Sequence, residues 1–314
     1  MVKDIQNKCD KVIENYREAK ESLRFDGDCI NHLCAVIYGV YERDIPVEDI
    51  KYIRKKIKND TSRVSYFRGD ILYIVSILIA KEKDIDLFIK NMIEIYEKLI
   101  ESGFKESQYL VMTAFSIAKY INDRKLKDII DEASKIFCGM KKKYQNITSE
   151  DDYLQCTLLA LNDKKWCSIE SDMDSIMERI KKLKDFSLNS VQALTCALLL
   201  DYSYQNMCRI EEFIRLSSIK KIKLSYQIMP FLGGIKGIED MEKYINEANE
   251  VIQYLVSEEY EYGYYMDKSM IIEIALAILE INEDNKYLEE LFCISIYWFI
   301  LSKNQGIIEE VLAE

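Results

Sequence analysis

Two kinds of hydrophobic pattern alternate along the chain. Residues 87–100, LFIKNMIEIYEKLI, set Leu87, Phe88, Met92, Ile95, Tyr96 and Leu99 at helical spacing with charges between them. That spacing predicts a helix with one buried face and one wet face. Residues 109–120, YLVMTAFSIAKY, are apolar almost all round and predict a helix covered on most sides. The amphipathic kind is predicted at 3–22, 47–58, 86–101, 125–143, 169–184, 207–222 and 239–256. Each is followed by the apolar kind, at 29–41, 71–80, 109–120, 153–161, 191–202, 227–235 and 270–281. One polar residue marks the onset of each apolar helix: Asp28, Asp70, Gln108, Asp151, Asn189, Gln227 and Asp267, at intervals of 38 to 43 residues.

A helix hairpin of that length, recurring seven times, predicts an all-α helical-hairpin repeat array of about seven α/α units. It could form an open solenoid or a compact α/α toroid. Tetratricopeptide and ankyrin units are shorter, about 34 and 33 residues, and carry motifs absent here. No linker rich in Ser, Gly or Pro interrupts the array, so 1–314 is expected to be a single α-helical repeat domain. The repeats occupy 1–281. A C-terminal helical cap occupies 285–314, in segments 286–301 and 307–312, with Leu291, Phe292, Ile296, Trp298, Phe299 and Leu301 covering the last repeat. Leu110, Ala114, Ile117, Leu158, Leu194 and Leu198 are expected in the core. Composition agrees. The 314 residues are 49% hydrophobic and include only 10 Gly and 2 Pro, too few for the turns of an all-β fold.

Charge and cysteine content narrow the classes of function. The net charge is −11, which repels phosphate backbones. The basic runs Arg54-Lys55-Lys56, Lys141-Lys142-Lys143 and Lys220-Lys221 fall late in helices, where cations favour the negative end of the helix dipole. No nucleic-acid partner is expected. Nine cysteines, at 9, 29, 34, 138, 156, 167, 196, 208 and 293, include no CxxC pair, so no zinc or redox motif is read. Free thiols and an N-terminus without a signal-like apolar stretch predict a cytoplasmic protein. The longest apolar stretches, 71–80 and 291–301, are shorter than the ~20 residues of a bilayer span, so no membrane partner is expected. Gly233-Gly234 with Gly237 lacks the Lys-Ser/Thr of a phosphate loop and reads as a helix kink. No cofactor is expected.

Several local motifs run together. Phe67-Arg68-Gly69-Asp70 opens an apolar helix. Tyr96-Glu97-Lys98-Leu99 closes an amphipathic one, followed by Gly103-Phe104-Lys105, Ser107 and Tyr109-Leu110. Glu150-Asp151-Asp152-Tyr153 comes with Leu158-Leu159-Ala160-Leu161, and then Asn189-Ser190-Val191-Gln192. This succession, from Phe25 to Ile281, resembles an uncharacterised bacterial domain-of-unknown-function family, four-thousand-and-three, of low-GC Gram-positive bacteria. The resemblance implies a bacterial, cytoplasmic, all-helical protein. It carries no activity and no catalytic residue.

The connections are unequal. Those from apolar to amphipathic helix are short: Lys83-Asp84, Asn122-Asp123, Asn162-Asp163. Three in the other sense are longer: 60–70, 144–153 and 257–267. In a repeat array the loops of one sense share a face, and loops on a rigid scaffold carry binding groups. The polar residues of that face are Asp28, Asn31, His32, Arg68, Asp70, Gln108, Asp151, Asp152, Asn189, Gln192, Gln227 and Asp267. Helix-start acids there serve as N-caps or as general acids, bases and oxygen ligands. The adjacent Asp151-Asp152 stands out because one cap uses one carboxylate. Arg68 is expected to pair with a carboxylate or to hold an anionic ligand group. His32, the single histidine, is expected to be a satisfied core group, although Cys29 at offset three could share its helix face. Five tyrosines at 254, 260, 262, 264 and 265 suit peptide or sugar contact. The candidate binding rim is Arg68, Asp70, Asp151, Asp152, Asn189, Gln192, Tyr262, Tyr264 and Asp267, with catalytic residues unassigned and no metal. The expected function is a non-enzymatic interaction module for a peptide or protein partner. The alternative is a toroid enzyme or small-molecule binder with acids at the mouth of the inner helices.

Overall fold

A computed structural model describes residues 1–23, 27–121, 125–184, 186–236, 238–264 and 266–313, with side chains through residue 304. Phe25, the Asn122-Asp123 connection, Gly237, Tyr265 and the side chains of 307–312 lie outside the described residues. The protein is all-α and 74% helical, with no strand among the described residues.

Long and short helices alternate. In chain order they are α1 (Lys3–Ser22) and α2 (Asp28–Gly39), α3 (Val47–Asp60) and α4 (Asp70–Ile79), α5 (Ile85–Glu101) and α6 (Gln108–Tyr120), α7 (Leu126–Lys143) and α8 (Tyr153–Leu161). They continue as α9 (Trp166–Lys181) and α10 (Leu188–Leu200), α11 (Tyr204–Ile219) and α12 (Met229–Gly234), and α13 (Met241–Glu258). After these come the short α14 (Glu261–Tyr264), then α15 (Lys268–Glu280) and α16 (Leu288–Ala313). All the expected apolar segments are helical within a few residues. The cap differs from expectation: α16 is one continuous helix rather than two segments.

Local chemistry explains the boundaries. Asp84, Asp240 and Asp267 are true N-caps, accepting the N–H of Leu87 (3.0 Å), Lys243 (3.0 Å) and Ser269 (2.7 Å). Ser107 and Ser187 cap α6 and α10, so Gln108 and Asn189 fall just inside or beyond the helix start. Before Asp28 and Asp70 stand Gly27 and Gly69 at φ 76° and 67°, a left-handed turn that side chains with a Cβ resist. Those two aspartates are first-turn residues that favour the helix dipole.

The chain divides into two compact units, Met1–Val47 with Glu212–Glu314 (unit 1) and Glu48–Glu211 (unit 2). In unit 2 the apolar helices pack side by side, α4 on α6, α6 on α8 and α8 on α10. Each amphipathic helix α5, α7 and α9 covers the apolar helix after it. Leu110, Ala114, Ile117, Leu158 and Leu194 are wholly buried, and Leu198 nearly so. Leu87 departs from its predicted place and is 52% exposed. It lies on the stripe of Lys90 and Glu94, at offsets three and seven, while Ile89 joins the buried face instead. In unit 1, α1 packs on α2 and α13, α12 on α16, and α2 meets both α15 and α16.

Glu273, within α15, is wholly buried, with no cation paired to its carboxyl among the described residues. Burial pushes its pKa well above the usual carboxyl value of 4.5. The folded chain therefore holds this proton more tightly than the unfolded chain. Its contribution to stability is present below the ordinary carboxyl pKa and is lost as pH rises through the folded one.

Two stability measurements test this packing. Leu158→Ala should cost about 2–5 kcal/mol in urea melts, the range for a buried leucine that leaves a cavity. Glu273→Met should raise stability by about 1–3 kcal/mol near pH 8 and by much less near pH 4, because only the ionised carboxyl is penalised. Equal effects at both pH values would show that Glu273 is not the titrating group.

Candidate functional site

The rim residues of unit 2 form capping and bridging networks. Ser149 and Asp152 make a capping box, with Ser149 N donating to Asp152 Oδ2 at 3.0 Å. Asp152 Oδ1 accepts from Gln192 Nε2 at 2.9 Å, and Thr148 Oγ1 donates to Gln192 Oε1 at 3.2 Å. Gln192 also reaches Ile147 O (3.3 Å), and Lys141 donates to the carbonyl of Thr148. Burial raises the Asp152 pKa, and the neighbouring Asp151 carboxylate raises it further. Asp151 itself accepts from Ser149 Oγ. Both carboxylates are thus engaged locally, and Gln192 ties α10 to the turn before α8.

Arg68 departs from expectation. Its guanidinium donates to Thr61 Oγ1 (2.7 Å) and to the carbonyls of Phe67 (2.6 Å), Lys58 (3.1 Å) and Thr61 (2.9 Å). It closes the C-terminal end of α3, whose last carbonyls lack helical partners, and pairs with no carboxylate among the described residues. Asp70 is half-buried, and burial raises its pKa. Asn189 is exposed.

In unit 1 the tyrosine pair splits. Tyr264 is 82% exposed and lies beside Tyr260, with ring centroids 5.7 Å apart. Tyr262 is buried and points at the single histidine. His32, on α2, stacks flat on Tyr16 of α1, centroid to centroid 4.1 Å with the planes 3° apart. The Tyr262 ring meets the imidazole edge-on at 4.7 Å. His32 is 4% exposed, and its Nδ1 has no hydrogen-bond partner. Burial depresses its pKa to about 3, helped by Lys20 and Lys303. The ring is neutral at physiological pH.

This stack borders a cavity of about 360 Å³. Asp28, Cys29 and His32 of α2 line one side, so Cys29 and His32 do share a helix face. Lys223, Ser225 and Gln227, before α12, line another. Glu261, Met266, Asp267 and Met270 come from α14, α15 and their junction, and Phe299, Ser302 and Lys303 from α16. Glu261 pairs with Lys20, and Lys223 lies 3.8 Å from Asp267. Asp28, Gln227 and Asp267 are three of the seven helix-onset residues, so the onset pattern does lead here. The contributions of Ser225, Met266, Met270, Phe299 and Ser302 were missed. The α16 residues read as apolar cover, and Ser225 carries no periodic signal.

The Ser302 hydroxyl orients Gln227. Ser302 Oγ donates its one proton to Trp298 O at 2.9 Å, so its other neighbours must donate to it. Gln227 Nε2 does so at 2.8 Å, and Tyr226 OH does so from the other side. The Gln227 Oε1 is thereby turned away from Ser302. It is buried and unpartnered, and so is Ser225 Oγ.

A pH series tests the stack. With a folded pKa below the unfolded value of 6.5, His32 favours folding above that value, and this contribution is lost as pH falls toward about 3. His32→Phe, which keeps a flat ring on Tyr16, should lessen the loss of stability between about pH 6.5 and pH 4 relative to wild type, read by urea melts. Parallel curves for the two proteins would place the acid sensitivity elsewhere.

No curated protein and no solved structure matches the chain. The family model described as Protein of unknown function (DUF4003) matches residues 15–305. That match covers all but the two ends; it runs from within α1 to within α16 and takes in every residue of the His32 cavity. The chain therefore belongs to the DUF4003 family, for which no activity is established.

Proposed function

We propose that unit 1 is a small-molecule-binding module, and that binding rather than catalysis is its task. One observation carries this reading. Three residues lining the cavity, His32, Ser225 and Gln227, each hold a buried polar atom without a partner. Such atoms cost about 1–3 kcal/mol each when left unsatisfied, and a ligand that meets them recovers that energy. The volume suits one small organic molecule. A histidine held so far below its normal pKa is a weak proton acceptor at neutral pH, which disfavours general base catalysis. Acids at the starts of α2 and α15 stand at the cavity, as the toroid alternative anticipates. We also infer the hairpin repeat, which the alternation of long and short helices supports. A peptide or protein partner is the second reading, favoured by the exposed Tyr260 and Tyr264 pair. A bacterial cytoplasmic setting remains part of this proposal.

Filling the cavity tests the first reading. Small molecules released from denatured wild-type protein, and thermal shifts across a metabolite library, would be compared with Met270→Trp and Cys29→Phe. A ligand or shift present in wild type and lost in both folded variants supports the cavity. Retention in both variants, or a shift lost only in Tyr264→Ala, would move binding to the tyrosine surface.

A further inference from the structure

Resting on that cavity reading, the structure also speaks to what the ligand looks like. The groups around the cavity separate by charge. Asp28, Asp267, Lys223 and Lys303 are exposed, the partly buried Glu261 is paired with Lys20, and His32 and Gln227 are buried with Ser225 partly so. The buried lining is therefore neutral, with His32 held uncharged by burial. An ion driven onto it would lose its water and meet no unpaired counter-charge, since Glu261 is already held by Lys20, a cost of several kcal/mol by general desolvation arguments.

One of two buried atoms has a fixed hydrogen-bond polarity, and the other, a hydroxyl, can donate as well as accept. Gln227 Oε1 can only accept, because the Ser302 network commits the amide nitrogen. Ser225 Oγ has a free proton to donate. One acceptor and one donor, two residues apart in the chain, complement a group that offers N–H and C=O together. Met270 and Phe299, both buried, supply apolar surface that suits the faces of a flat ring. We propose that the cavity takes an uncharged amide-bearing ring, a cyclic lactam or an aromatic carboxamide. Any charged part of the ligand stays at the exposed lysines and aspartates.

Matched probes test the class on the full-length protein by calorimetry and ligand-observed NMR. Uracil, hypoxanthine and nicotinamide would be set against 1,3-dimethyluracil, N,N-diethylnicotinamide and nicotinate. At least one amide probe should bind at least tenfold more tightly than its alkylated or charged counterpart. Gln227→Leu should abolish that preference, and Ser225→Ala should weaken binding with the fold kept, so the result does not hang on one variant. Nicotinate binding as well as nicotinamide, or alkylation without effect, would overturn the amide assignment. Binding of other molecules, lost in the cavity-filling variants while every amide probe fails, would also overturn it and leave the cavity reading standing. No binding of any kind in wild type would sink both.

Discussion

A helix that is apolar on every side cannot rest on a surface; it has to be enclosed. That constraint governs this protein. From Leu110 to Ile117 every residue of α6 is buried, and so is every residue of α8. Such helices can be covered only by further apolar helices beside them and amphipathic ones behind, which is the packing found in unit 2. Ser116 and Thr157 of these apolar helices have no hydrogen-bond partner, while several other polar side chains bond within the layer. Gln155 does so by donating to Ala193 O at 2.8 Å, and Ser76, Thr113 and Thr195 by turning back onto their own helices.

Unit 1 meets the same constraint less completely. Its α2 is enclosed by helices from the other end of the sequence, and the enclosure leaves a cavity beside His32. The stack of His32 on Tyr16, edged by Tyr262, forms one wall. The unpartnered atoms of Ser225 and Gln227 are further polar groups without local satisfaction. Unit 2 settles Asp152 into a capping box and a glutamine bridge and leaves unpartnered atoms such as Ser116 Oγ and Thr157 Oγ1 inside wholly buried helix faces, while unit 1 sets three such residues around a cavity. The cavity, more than any single residue, is why the candidate site is proposed in unit 1.

Helices were legible because their periodicity is local: an apolar face or an all-apolar run is written in fifteen consecutive residues. Even there, Leu87 shows the limit, since one apolar residue can lie on the wet stripe of an otherwise regular helix. Arg68 was legible as an unusual cation but not as a helix closure, because the carbonyls it binds carry no side-chain signal. Tyr262 and Tyr264 look alike in sequence, yet a two-residue step on a short helix sends one into the core and the other into water. The cavity was legible through its helix-onset residues Asp28, Gln227 and Asp267 and through His32 with Cys29. Its remaining walls come from segments far apart in the chain, and no spacing rule joins 32 to 225 or to 302.

The two-segment make-up of unit 1 bears on how the chain acquires its shape during synthesis. Unit 2 is contiguous, so all of its own helices exist once Glu211 has been made. The hairpin of α1 and α2 must instead wait for residues beyond Glu212 before α2 is covered. Domains fold as units while the ribosome works at about 5–20 residues per second, so a nascent α2 spends many seconds with apolar surface bare. Closing that long-range contact also makes unit 1 the slower unit to fold. Of the two units, unit 1 with its cavity thus forms later, and a chain that stalls between Glu211 and α16 has unit 2 without the proposed site.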